Sequence, residues 1–124
     1  MISISGALIL KENKILLIKR KNRDFLELPG KIVENGEDPE QAALKATLEK
    51  TGYTIEIIQH FNETQSYYDG KEYLSHIFEA KIIKGVATPS QEIEKIEFIE
   101  ISEIPKLKVA HNVEQIYEEI SNQR

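Results

Sequence analysis

Two apolar runs, Ala7–Leu10 and Ile15–Ile18, stand near the start of the chain, with Ile2 and Ile4 ahead of the first. The polar stretch Lys11–Lys14 separates them, so the pattern predicts an opening β-hairpin. Residues 21–27 read as a loop. Residues 38–51 give the clearest helix: Asp38 as N-cap, Pro39 in the first helical position, Gln41 completing a capping-box-like pattern, and Gly52 placed to end it. Beyond it, residues 53–61 are rich in β-branched and aromatic side chains. Residues 64–68 and 71–83 flank an Asp69-Gly70 turn as a hairpin. Residues 85–91 carry Gly, Thr, Pro and Ser and are expected as a loop, and 93–101 alternates like a strand. Val113, Ile116, Tyr117 and Ile120 have the spacing of an amphipathic closing helix. Mixed strands and helices without a repeat or linker imply one α/β domain over residues 1–124.

Composition narrows the classes. With 40% hydrophobic and 30% charged residues, the chain has the balance of a globular domain rather than of a disordered one. It has no cysteine, which removes disulfides, thiolate zinc sites and cysteine nucleophiles together and suits a reducing cytosol. No apolar run approaches membrane-spanning length, so a cytoplasmic protein without membrane partners is expected. A net charge of −5 argues against general nucleic-acid affinity. The one basic cluster, Lys19, Arg20, Lys21 and Arg23, reads first as a solvated loop after a strand.

Ordinary catalytic constellations are poorly represented. His60, His76 and His111 are far apart without metal-ligand spacing, and each reads as a strand or surface histidine. Ser66 with His76 lacks the turn motif that exposes a nucleophilic serine. Tyr67, Tyr68, Tyr73 and Phe78 are expected mainly as sheet packing, with one or two available to stack on a base.

The informative stretch is Leu28-Pro29-Gly30-Lys31-Ile32-Val33-Glu34-Asn35-Gly36-Glu37, followed by the capped helix and Gly52. It resembles the loop-helix-loop signature of Nudix hydrolases, G-x5-E-x7-R-E-U-x-E-E-x-G-U with U bulky and aliphatic. With Glu37 as the first glutamate, Glu49 and Gly52 match, Lys45 stands for the arginine, and Tyr53 takes the last bulky place. Lys31 replaces the opening glycine, Ala46 and Lys50 replace two glutamates, and Thr47 takes an aliphatic place. The Glu92–Phe98 segment and the opening hairpin also look like the family.

That resemblance implies an α/β/α sandwich, with a mixed, curved sheet between the signature helix and the C-terminal one. It implies hydrolysis of the phosphoanhydride in nucleoside diphosphate derivatives with Mg2+ or Mn2+. The family's ligating glutamates fall at positions 46, 49 and 50, on one helical face, and here only Glu49 remains. A weakened hydrolase is therefore expected, the alternative being a noncatalytic nucleotide-binding, phosphate-binding or protein-interaction module on the same scaffold. Glu49, Glu37 and Lys45 are the catalytic candidates, with Glu49 also the metal ligand. Gly30, Lys31, Lys50 and Arg20 are the candidates for contacting the ligand, a nucleotide or other phosphorylated small molecule. Lys50 is expected either to replace the metal's charge toward phosphate or to be a solvated helix residue beside the Lys45–Glu49 pair. A homodimer is expected on general frequency alone.

Overall fold

In the computed structural model, which describes residues 1–123, β1 (Ile2–Lys11) turns through Glu12 and Asn13 into β2 (Lys14–Arg20), as the two apolar runs predict. The two strands pair at Leu10–Ile15 and Lys11–Lys14 and then part. Two short strands line the opening between them: β3 (Leu26–Glu27) pairs with the end of β2, and β4 (Gly30–Ile32) pairs with the beginning of β1. Neither is long enough to carry a periodicity, which is why the stretch before Leu28 reads as loop. The Pro29 carbonyl accepts from the Ala7 amide at 3.0 Å and holds the link between them on the sheet.

The signature helix α1 spans Pro39–Thr51. Asp38 occupies the N-cap position with extended backbone, but its side chain makes no cap bond, so the capping box with Gln41 does not form. Pro39 sets the entry instead, having no amide to satisfy, and the Ser5 hydroxyl donates to its carbonyl at 2.6 Å, fixing the first turn on β1. At the other end Gly52 takes φ +80 and its amide closes on Leu48.

After α1, β5 (Thr54–Tyr68) and β6 (Lys71–Lys84) form one long hairpin, where the sequence pattern had suggested a break after Phe61. Bulges at 57–59 and 60–62 interrupt the alternation without ending the strand. Asp69 and Gly70, both at positive φ, make the turn. β6 runs parallel to β1 from Ile2–Tyr73 to Ile9–Ala80, and β7 (Ile93–Glu100) lies along the outer edge of β2. Ile101 leaves the strand and opens a 3-10 turn, Ile101–Lys106, before α2 (His111–Asn122).

The sheet is therefore mixed, and each face has its own core. Leu8, Ile15, Leu17 and Ile77 meet Val113 and Ile116 of α2, while Ala7, Ile9, Leu16, Ile55 and Ala80 meet Leu44 on the α1 side. Full burial of each large aliphatic side chain stabilises the fold by about 1.5–3 kcal/mol. The expected α/β/α arrangement is what these two cores hold together. No helix among the described residues is long and apolar enough to cross a membrane.

Candidate functional site

The turn entering α1 is closed by its own acid. Gly36, at φ +84, lets the chain double back, and the Glu37 carboxylate accepts from the Glu34 amide at 3.0 Å. Both Glu37 oxygens also take bonds from the Lys31 ammonium, at 2.8 and 2.9 Å. Lys31, aided by that amide, holds Glu37 below the ordinary carboxylate range, and the same bond holds Lys31 above the ordinary lysine range. Two of the sequence candidates thus bind each other and brace the loop. Lys45 is exposed on α1 and contributes only a weaker charge effect at Glu37.

One turn apart on the inward side of α1, Ala46 is fully buried and Lys50 is only 7% exposed, while Glu49 between them is exposed. The Lys50 ammonium donates directly to the Gly30 carbonyl at the start of β4. Burial lowers its pKa from the ordinary value, the positive charge of Arg20 adds to the lowering, and Glu92, Glu27 and Glu49 oppose it. Of the two expectations for Lys50, the solvated helix residue is therefore excluded by its surroundings. Between its lowered folded value and 10.5, the unfolded chain binds a proton that the native chain lacks, so this group makes stability rise with pH there. Below that window the full cost of burying the charge is present. Lys50→Met is expected to be favoured over the native chain at neutral pH by a margin that shrinks towards about pH 10.5. Urea midpoints of the two chains across the alkaline range check this, and a constant margin would refute the desolvation.

Beside the Gly30 carbonyl lies a cleft of about 330 Å³ between the parted β1 and β2 strands, lined by Gly30, Lys31, Arg20, Arg23, Phe25 and Tyr68 among others. Its charged wall is built on Glu27, which is 8% exposed. Arg20 donates to Glu27 at 3.1 Å and Arg23 at 3.0 and 3.1 Å, and Glu92 stands 3.6 Å from Arg20. The basic cluster is thus not simply a solvated loop: two of its members are held on a buried acid. Above them the Phe25 and Tyr68 rings meet edge to face at 6.0 Å, with the Arg23 guanidinium 5.7 and 5.9 Å from their centres. Sequence reading missed Glu27, Arg23 and Phe25 as site residues. The available signal was a single acid flanked by Leu26 and Leu28, two residues before Pro29.

The cleft can take a planar ring against Tyr68 and Phe25 and an anionic group against Gly30, between Arg20 and Lys31. The donors for a metal are a different matter. At the three helix positions where the resemblance expects glutamates there is one exposed carboxylate, one methyl group and one ammonium already seated on the Gly30 carbonyl. A divalent cation at that carbonyl would be repelled by the ammonium, and the nearby Glu27 is taken up by two arginines. These residues do not fit a multi-metal cluster.

The NUDIX domain family model matches residues 2–120, and the chain belongs to that family. It is 32% identical over 119 residues to an ADP-ribose pyrophosphatase of Methanocaldococcus jannaschii, covering 89% of this chain and 68% of that protein. It is also 31% identical over 97 residues to an ADP-ribose pyrophosphatase of Bacillus subtilis, covering 75% of this chain but only 52%, about half, of that one. Among solved structures, a NUDIX hydrolase from Nitrosomonas europaea superposes with a TM-score of 0.86 at 21% identity, over 98% of this chain and 89% of the other, a likeness of fold. Nudix hydrolases generally use divalent metals, so the helix of this chain departs from its family at the positions that would hold them.

Proposed function

We propose that this chain is a divergent Nudix hydrolase that binds a nucleoside diphosphate derivative in the Arg20–Lys31–Tyr68 cleft and cleaves its phosphoanhydride only slowly. The observation that carries the reading is the Lys50 ammonium on the Gly30 carbonyl, a cation built into the place where carboxylates would gather metal ions. An ammonium has three donors, and Gly30 takes one. Lys50 does not itself line the cleft; its remaining two donors would reach a phosphate oxygen seated against Gly30, where they would neutralise ground-state charge. They supply neither an activated water nor the charge of a divalent ion, so binding is retained better than turnover.

The relatives named as ADP-ribose pyrophosphatases make ADP-ribose the first compound to try. Its adenine matches the Phe25–Tyr68 pair and its diphosphate matches Lys50. Calorimetric titration is expected to show saturable binding to the native chain, with affinity reduced about tenfold or more in Lys50→Met, since a charge-assisted bond contributes about 1.5–3 kcal/mol. Unchanged affinity in that variant sinks the phosphate-holding role of Lys50. Rapid product formation by the native chain sinks the claim of slow turnover.

A further inference from the structure

Further along the β5–β6 hairpin, whose Tyr68 end lines the cleft, three side chains that no spacing rule connects come together. In a regular strand, His60 and Glu63 are an odd number of residues apart and lie on opposite faces. Here the bulge between His60 and Asn62 inserts Phe61 as an extra residue: His60 stands opposite Phe78, Asn62 opposite Ile77, and Glu63 opposite His76. Phe78 and His76 share a face, so the bulge carries His60 and Glu63 onto it too. His60 and His76 are strand residues, as their sequence reads, and that one residue is what brings them onto one face. His111, at the start of α2, lines the cleft instead.

The distances have chemical meaning. His76 Nδ1 lies 3.4 Å from Glu63 Oε1, His60 Nε2 lies 4.0 Å from the same oxygen, and the ligand atoms of all three are within 4.8 Å of one another. A tetrahedral ion with bonds of about 2.0–2.1 Å requires its ligand atoms about 3.3–3.4 Å apart. One pair already meets that spacing, His60–Glu63 needs a closure of about 0.7 Å, and the two imidazoles need one of at most about 1.5 Å, with His60 and Glu63 both half exposed. Phe78 stands edge-on to the His60 ring at 5.4 Å and limits its orientations.

We propose that His60, Glu63 and His76 form a binding site for a borderline divalent transition metal, Zn2+ being the first choice. The set is two imidazoles and one carboxylate with a fourth position open to water. That donor set suits zinc, and it is poor for magnesium, which demands oxygen ligands. None of the three residues lines the cleft, and none belongs to α1. It ties the outer strand β5 to β6 across the bulge, so the bound ion stabilises the edge of the sheet.

Zn2+ alone, titrated into the full chain, tests this. The expected result is one equivalent bound, with the ring proton resonances of His60 and His76 shifting together, no displacement by excess Mg2+, and a rise in melting temperature. His76→Ala and Glu63→Gln are each expected to weaken binding about tenfold or more. Glu63 is half exposed and His76 partly buried, and circular dichroism of each variant establishes that the fold is kept. Native affinity in the His60→Ala, His76→Ala double variant overturns the proposal. So does Zn2+ that shifts resonances on α1 while leaving both histidines unmoved, and so does the absence of one-equivalent binding by the native chain.

Discussion

Ala46→Glu combined with Lys50→Glu is expected to raise turnover of ADP-ribose or a related nucleoside diphosphate derivative, with Mg2+ present, roughly a hundredfold or more over the native chain. The magnitude follows from metal-assisted charge stabilisation of several kcal/mol, at a factor of ten for each 1.36 kcal/mol. The substitutions place carboxylates at 46 and 50 beside Glu49, on one helical face, and release the Gly30 carbonyl from the ammonium that now holds it. They also have a cost that can be measured separately. Position 46 is fully buried and position 50 nearly so, so the metal-free variant is expected to melt below the native chain. Mg2+ is expected to restore the loss in the variant and to leave the native melting temperature where it was. Magnesium is the right ion for the comparison because it ignores the histidine cluster on β5 and β6. If the variant is as slow as the native chain while its melting responds to Mg2+, the missing glutamates are not what limits turnover. If neither property responds, the pocket has diverged beyond the helix.

The parts of this fold legible in the sequence were those whose physics is local. Residues 38–51 announced their helix through Pro39 and Gly52, and both do what their backbone chemistry requires. The opening hairpin followed from two apolar runs and a polar turn. Asp38 and Gln41 misled because a capping pattern records what side chains can do; here Ser5, 34 residues away from Pro39, takes part in fixing the first turn. The short strands β3 and β4 were invisible for a related reason. Two or three residues carry no period, and their pairing is decided by how far β1 and β2 diverge.

The site divides along the same line. Its motif positions could be read one by one, including the loss of carboxylates at 46 and 50. Their engagements could not, because Lys31–Glu37, Lys50–Gly30 and Arg20–Glu27 are contacts between elements. The pattern of charges along a helix does not say which face is dry, and Lys50 owes its lowered pKa to burial that only the assembled sheet provides. The β5 bulge is the extreme case, since one inserted residue decides whether His60 and Glu63 meet at all.

Gly30→Ala is expected to destabilise the chain by about 2–4 kcal/mol and lower its melting temperature by roughly 10 °C. A methyl group there would sit 2.4 Å from the Ser5 carbonyl oxygen and 3.1 Å from the Gly6 Cα. Both are backbone atoms of β1, so no side chain can rotate away, and the Gly6–Gly30 pairing of β1 with β4 must open. Gly36→Ala is the informative contrast. Gly36 has φ +84 but nothing within 4 Å of an added methyl, so only the left-handed backbone is penalised, by about 1–2 kcal/mol. Moving β4 also moves the carbonyl that Lys50 holds, so Gly30→Ala is expected to lose affinity for ADP-ribose together with stability. Equal melting temperatures for Gly30→Ala and the native chain would mean that β4 can leave β1 at little cost, and that the floor of the cleft is set by something other than this close approach.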